Sequence, residues 1–232
     1  MPEGRLHSAA RARVQLLSAA LLLSVVPCAR AAPPAGEAHA REELRAALQA
    51  TPDTANGARL FVVCTECHGP HAEGKASGWP PQIAGQHRRV IVSELIDYRT
   101  GRRWYDPMER IAGVHVLGST QDVADVAAYL AALAPSADTT PGPQRPLAKG
   151  AELYGLRCQW CHGDRGQGND ERFVPRVGGQ QYEYLLRQLQ DTVEARRPNM
   201  RTQHLRLLES RSVEELMGLA SYMSRLDRAA QP

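Results

Sequence analysis

Two five-residue segments, Cys64-Thr65-Glu66-Cys67-His68 and Cys158-Gln159-Trp160-Cys161-His162, constrain this chain more than anything else in it. With Cys64 placed on Cys158, Cys67-His68-Gly69 falls on Cys161-His162-Gly163. At the same offset Pro81-Gln82-Ile83-Ala84-Gly85-Gln86 meets Pro175-Arg176-Val177-Gly178-Gly179-Gln180. A slip of one residue brings Leu60-Phe61 onto Leu153-Tyr154, and later Ser119, Tyr129 and Leu133 onto Ser212, Tyr222 and Leu226. A duplication of about ninety residues with so few slips means two copies of one domain. Between them, Ala134-Pro135 through Pro146 is dense in proline and glycine and reads as a linker. The expected organisation is a first domain over 57–134, a linker over 135–147 and a second domain over 148–232. In the 32–56 extension, Glu42 to Ala50 is expected to form a helical turn or two.

The periodicity inside each copy is helical, which predicts an all-α fold. Val123, Val126, Ala127, Leu130 and Leu133 share one face near the end of the first copy; Val213, Leu216, Ala220, Met223 and Leu226 do so in the second. Ser119 with Asp122, and Ser212 with Glu215, have capping-box spacing. A middle helix is suggested by Val90, Ile91, Leu95 and Ile96, and by Tyr182, Leu185, Leu186 and Leu189. Stretches such as Gly69 to Gly85 must then be loops, long ones for so small a domain. A large buried cofactor would give them something to fold against.

Residues 1–31 begin basic, turn apolar from Val14 to Val26 and close on Ala29-Arg30-Ala31, the layout of a secretory signal peptide. Cleavage near Ala31 is expected; Pro27 argues against lipid modification of Cys28. The formal charge of +3 depends on this segment. Without Arg5, Arg11, Arg13, Arg30 and Glu3, basic and acidic residues are equal in number. That balance leaves no electrostatic footprint for nucleic acid. No later segment is apolar for long enough to be a transmembrane span of the mature chain. Export also matters for the four remaining cysteines, because thiols outside the cytoplasm oxidise unless chemistry occupies them.

Both segments have the Cys-x-x-Cys-His form that attaches haem covalently. Two thiols a turn apart reach the two vinyl groups of one porphyrin edge, while the adjacent histidine reaches the iron. A zinc ribbon would need its cysteine pairs much closer in sequence, and a redox dithiol should sit near a βαβ pattern. A disulfide is the remaining plain alternative. Cys64, Cys67, Cys158 and Cys161 are therefore read as thioether positions for two haem c groups, with His68 and His162 on the iron.

Over residues 57–133 and 149–226 the chain resembles the class I c-type cytochromes, in particular the two-domain, dihaem cytochrome c4 family of the bacterial periplasm. Tyr98-Arg99-Thr100-Gly101-Arg102-Arg103-Trp104-Tyr105-Asp106-Pro107-Met108 is similar to that family's approach to the distal methionine. The second copy departs from it, reading Asp191 to Met200 through Arg196-Arg197-Pro198-Asn199. The resemblance implies two tandem class I cytochrome c domains, each a few helices around its haem. Met108 and Met200 are the expected distal ligands. Met108 is the only methionine of its copy, whereas Met217 and Met223 have core spacing in the terminal helix. The resemblance further implies that the carbonyls of Pro81 and Pro175 orient the iron-bound histidines, and that the two haem edges face each other. Arg102, Arg103, Arg196 and Arg197 are candidates to pair with propionates. His71, His87, His115 and His204 are expected at the solvated surface.

Filled axial positions imply an electron carrier, with membrane respiratory complexes such as a terminal oxidase as redox partners. The alternative is a dihaem redox enzyme, a peroxidase or a sulfur-compound oxidising subunit, with one open iron. Sulfur chemistry of that kind needs a further cysteine, and cleavage leaves none over.

Overall fold

The computed structural model describes residues 35–200 and 202–227. The signal segment, Cys28 and the expected cleavage site lie outside them. The described residues form α1 (Ala35–Gln49), α2 (Thr54–Phe61), α3 (Thr65–His68), α4 (Arg88–Arg99), α5 (Asp106–Ala112), α6 (Thr120–Ala132), α7 (Leu147–Arg157), α8 (Gln159–His162), α9 (Tyr182–Val193), α10 (Thr202–Leu208) and α11 (Val213–Met223). Among them the one extended pairing is an isolated bridge between Asn169 and Val174. The expected all-α class, with one five-helix set per copy, is what the chain adopts.

In each half the first and last helices of the set cross, α2 on α6 and α7 on α11. Glycine sets the distance. A Cβ on Gly57 would stand 2.2 Å from the Asp125 carbonyl oxygen, and one on Gly150 would stand 1.9 Å from that of Gly218. Beside each crossing a matched ring pair packs: Phe61 on Tyr129 at 5.5 Å and Tyr154 on Tyr222 at 5.4 Å between centroids. Phe61 and Tyr154 are 2% and 1% exposed, so each is a full burial contributing about 2 kcal/mol. Both expected capping boxes form, Ser119 with Asp122 and Ser212 with Glu215.

The N-terminal helix is longer than the sequence suggested and belongs to the first core. Ala40 and Ala47 of α1 are fully buried, and α1 packs on α4 and α6. Arg88 donates to the carbonyls of Ala47 and Ala50, satisfying groups that the end of α1 leaves unpaired. Arg99 pairs with Glu43 at 3.5 Å.

The proline- and glycine-rich connection is also bound down rather than slack. Ser136 donates its N–H to Gln82, Tyr182 donates to Thr140, and Ser221 Oγ donates to Pro143. Leu147, expected as the linker's last residue, starts α7 instead.

Candidate haem sites

The second cysteine of each pair lies in a short turn of helix that ends at the histidine, α3 at His68 and α8 at His162, and the first cysteine is that turn's N-cap. A glycine stops both. Gly69 and Gly163 adopt φ of +81° and +82°, which a side chain would strain, and the chain turns away from the helix there. It then returns in the same way in both halves. Gly74 donates to the His68 carbonyl and Gly168 to that of His162. Ile83 bonds back to Ala72, and Val177 to Gly166.

That return brings a proline carbonyl to each imidazole. His68 Nδ1 lies 2.8 Å from the Pro81 oxygen, and His162 Nδ1 lies 3.0 Å from the Pro175 oxygen. With Nδ1 held, Nε2 is the nitrogen left to bind a metal. Burial lowers the pKa of both histidines, against the proline hydrogen bond that raises it, so each ring is neutral near pH 7 and competent as a ligand. The thiols Cys64 and Cys158 are pushed up to about 11, first by burial and then by their neighbours Cys67 and Cys161. The four motif cysteines are free thiols. No three histidine, cysteine or carboxylate side chains converge as a metal cage among the described residues. Two thiols and one oriented neutral imidazole, twice over, are residues that could hold a haem covalently in each half.

Met108 is the third residue of α5 and packs against the first core. Met200 precedes α10 and closes a turn, its N–H donating to the Arg197 carbonyl. Met223 is core, as its spacing indicated.

The four arginines singled out in the sequence all have partners within the protein. Aligned on the cysteines, Glu94 corresponds to Gln188 and Arg103 to Arg197. Arg103 donates to Glu94 at 2.5 Å and to Gln188 at 2.9 Å; Arg197 donates to Gln188 at 2.9 Å and to Glu94 at 2.5 Å. These two are committed to a pseudo-two-fold network between the halves. Arg102 and Arg196 pair with the equivalent aspartates, Asp97 and Asp191. Burial would raise the Glu94 carboxyl, but the Arg103 and Arg197 guanidiniums hold it at about 2.

Glutamines extend the same symmetry. Gln86 exchanges two hydrogen bonds with the Arg176 backbone, and its counterpart Gln180 donates to the carbonyl of Gln82, the counterpart of Arg176. Gln181 donates to Glu73. The repeat alignment contained these residues, but pairing across an interface leaves no periodic mark in sequence. Two histidines expected in solvent are also engaged. His87 Nε2 meets the Gln167 carbonyl at 2.8 Å, and the His204 ring lies beside that of His162. His71 and His115 are exposed as expected.

The cytochrome c family model matches residues 54–134 and 147–226. Cytochrome c4 of Azotobacter vinelandii is 32% identical over 160 residues, spanning 63% of this chain and 75% of that protein. The chain belongs to the cytochrome c4 family. The crystal structure of reduced recombinant cytochrome c4 from Pseudomonas stutzeri superposes with a TM-score of 0.66 at 28% identity, covering 76% of this chain and all of that one. A thiosulfate dehydrogenase electron acceptor of Stutzerimonas stutzeri is 29% identical over 178 residues, 71% of this chain and 79% of its own. As in other cytochromes c4, the cofactors are two haem c groups and the role is electron transfer. When bound, each haem supplies a one-electron iron couple. Among the described residues, no helix is long and apolar enough to cross a membrane.

Proposed function

We propose that this cytochrome c4 is a periplasmic carrier that takes electrons one at a time from a respiratory donor and passes them to an acceptor such as a terminal oxidase. Cys64 and Cys67 hold one haem by thioether bonds, and Cys158 and Cys161 hold the other. His68 and His162 are the proximal ligands, oriented by the carbonyls of Pro81 and Pro175. Met108 and Met200 complete the two irons. The observation that carries this reading is the duplicated hydrogen bond from histidine Nδ1 to a proline carbonyl, 2.8 and 3.0 Å, one turn from a cysteine pair. It fixes the tautomer and ring direction that an iron-bound histidine needs.

A carrier in this sense offers incoming molecules no open iron. The relative named as an electron acceptor of thiosulfate dehydrogenase is itself named for accepting electrons, which favours the carrier over the enzyme alternative. The test is direct: the purified protein should retain two haems per chain after acid–acetone extraction, and the dithionite-reduced protein should not bind carbon monoxide at neutral pH. Rapid binding at one haem would transfer the assignment to a dihaem enzyme.

A further inference from the structure

The helix α10 holds the place in the second half that α5 holds in the first. It follows the arginine-bearing turn, packs on α9 as α5 packs on α4, and precedes the capped terminal helix. The third residue of α5 is Met108; the third residue of α10 is His204. The His204 ring centroid lies 6.1 Å from that of His162, with the planes at 69°. Because His162 gives Nδ1 to Pro175, its Nε2 is the nitrogen left for iron. A metal–imidazole bond of about 2 Å, plus roughly 1.2 Å from ring nitrogen to ring centre, separates two imidazoles on one metal by about 6 Å. The two rings thus stand at the spacing of a shared iron.

Taking the haem on Cys158 and Cys161 as given, we propose that His204 is the distal ligand of the second iron in its ferric state, displacing Met200. Imidazole nitrogen is the harder donor and favours ferric iron, whereas thioether sulfur favours ferrous iron. On the bound haem, His204 would hold the ferric iron and Met200 the ferrous iron, so the two residues would share the distal position according to oxidation state, with the one electron supplied by a donor or taken by an acceptor. The first half has no such partner. Methionine itself fills the matching helical position there, and its nearest following histidine, His115, is exposed.

The ferric wild-type protein, examined by near-infrared magnetic circular dichroism, should show one imidazole–thioether haem and one bis-imidazole haem per chain. His204→Leu should convert the second to imidazole–thioether and raise its potential. Met200→Leu should leave the ferric spectrum unchanged. Two imidazole–thioether haems in ferric wild type would overturn the proposal without any variant needing to fold. Loss of one of them in Met200→Leu would do the same. Fewer than two covalent haems in wild type would instead sink the attachment reading, and haem content shows that before any ligand spectrum is taken.

Discussion

Glu94 and Gln188 occupy equivalent positions in the two halves, and each accepts hydrogen bonds from both Arg103 and Arg197. The geometry is symmetric and the charge is not. One carboxylate serves two buried guanidiniums, with Asn199 of the second half donating to it and to Asp97 as well.

Replacing Glu94 with glutamine makes the pair alike and leaves two buried cations without a counter-ion. Removing one member of a buried charge cluster costs about 3–5 kcal/mol. Chemical denaturation of Glu94→Gln should show a loss of that order, whereas Gln188→Glu, which supplies a second carboxylate, should be far milder. Equal effects from the two would show that charge is not what matters there.

The same carboxyl sets an acid limit. Its folded-state pKa of about 2 lies below the ordinary value of 4.5, so the folded protein binds that proton less readily than the unfolded chain. The stabilisation is complete above about pH 4.5 and is lost as the pH falls towards about 2. Unfolding free energy measured across that window should fall in wild type and flatten in Glu94→Gln.

Two glycines of α7 should respond in opposite directions. Gly150→Ala drives a methyl group into the Gly218 carbonyl of α11, an overpacking cost of about 1–3 kcal/mol or more. Gly155 is exposed and its added Cβ would meet nothing nearer than 3.7 Å. Alanine there should stabilise the helix by about 0.5–1 kcal/mol. Thermal melts of the two variants, each with haem attached, test both.

Met108→Ala should open the first iron. Carbon monoxide should then bind that haem in the reduced protein and its potential should fall, because thioether sulfur favours the ferrous state. Met200→Ala should remain closed to carbon monoxide, since His204 can take the vacated position. Difference spectra of the two variants give the answer.

Much of this was legible before any coordinate. The paired motifs, the helical periods and the serine caps each act locally, so sequence spacing carries them, and Pro81 and Pro175 lie where the repeat aligned them. Gly57 and Gly150 share the one-residue slip that joins Phe61 to Tyr154, so the crossing left a trace that only the packing explains. The roles of Arg103 and Arg197 left none: a buried arginine between two domains and an arginine on a surface look alike in sequence. His204 was hidden for a related reason. Its ring meets that of His162 across about forty residues of chain, and a contact of that kind leaves no spacing to read.

The linkage at 135–146 has a consequence for direction. Two separate identical subunits meeting about an axis must present the same side chain from both sides, so the electrons they exchange meet identical surroundings going either way. A single chain can place glutamate on one side of that axis and glutamine on the other, or methionine on one helix and histidine on its twin. Joining the copies lets the pair acquire an uphill and a downhill end, and a wire becomes a gradient.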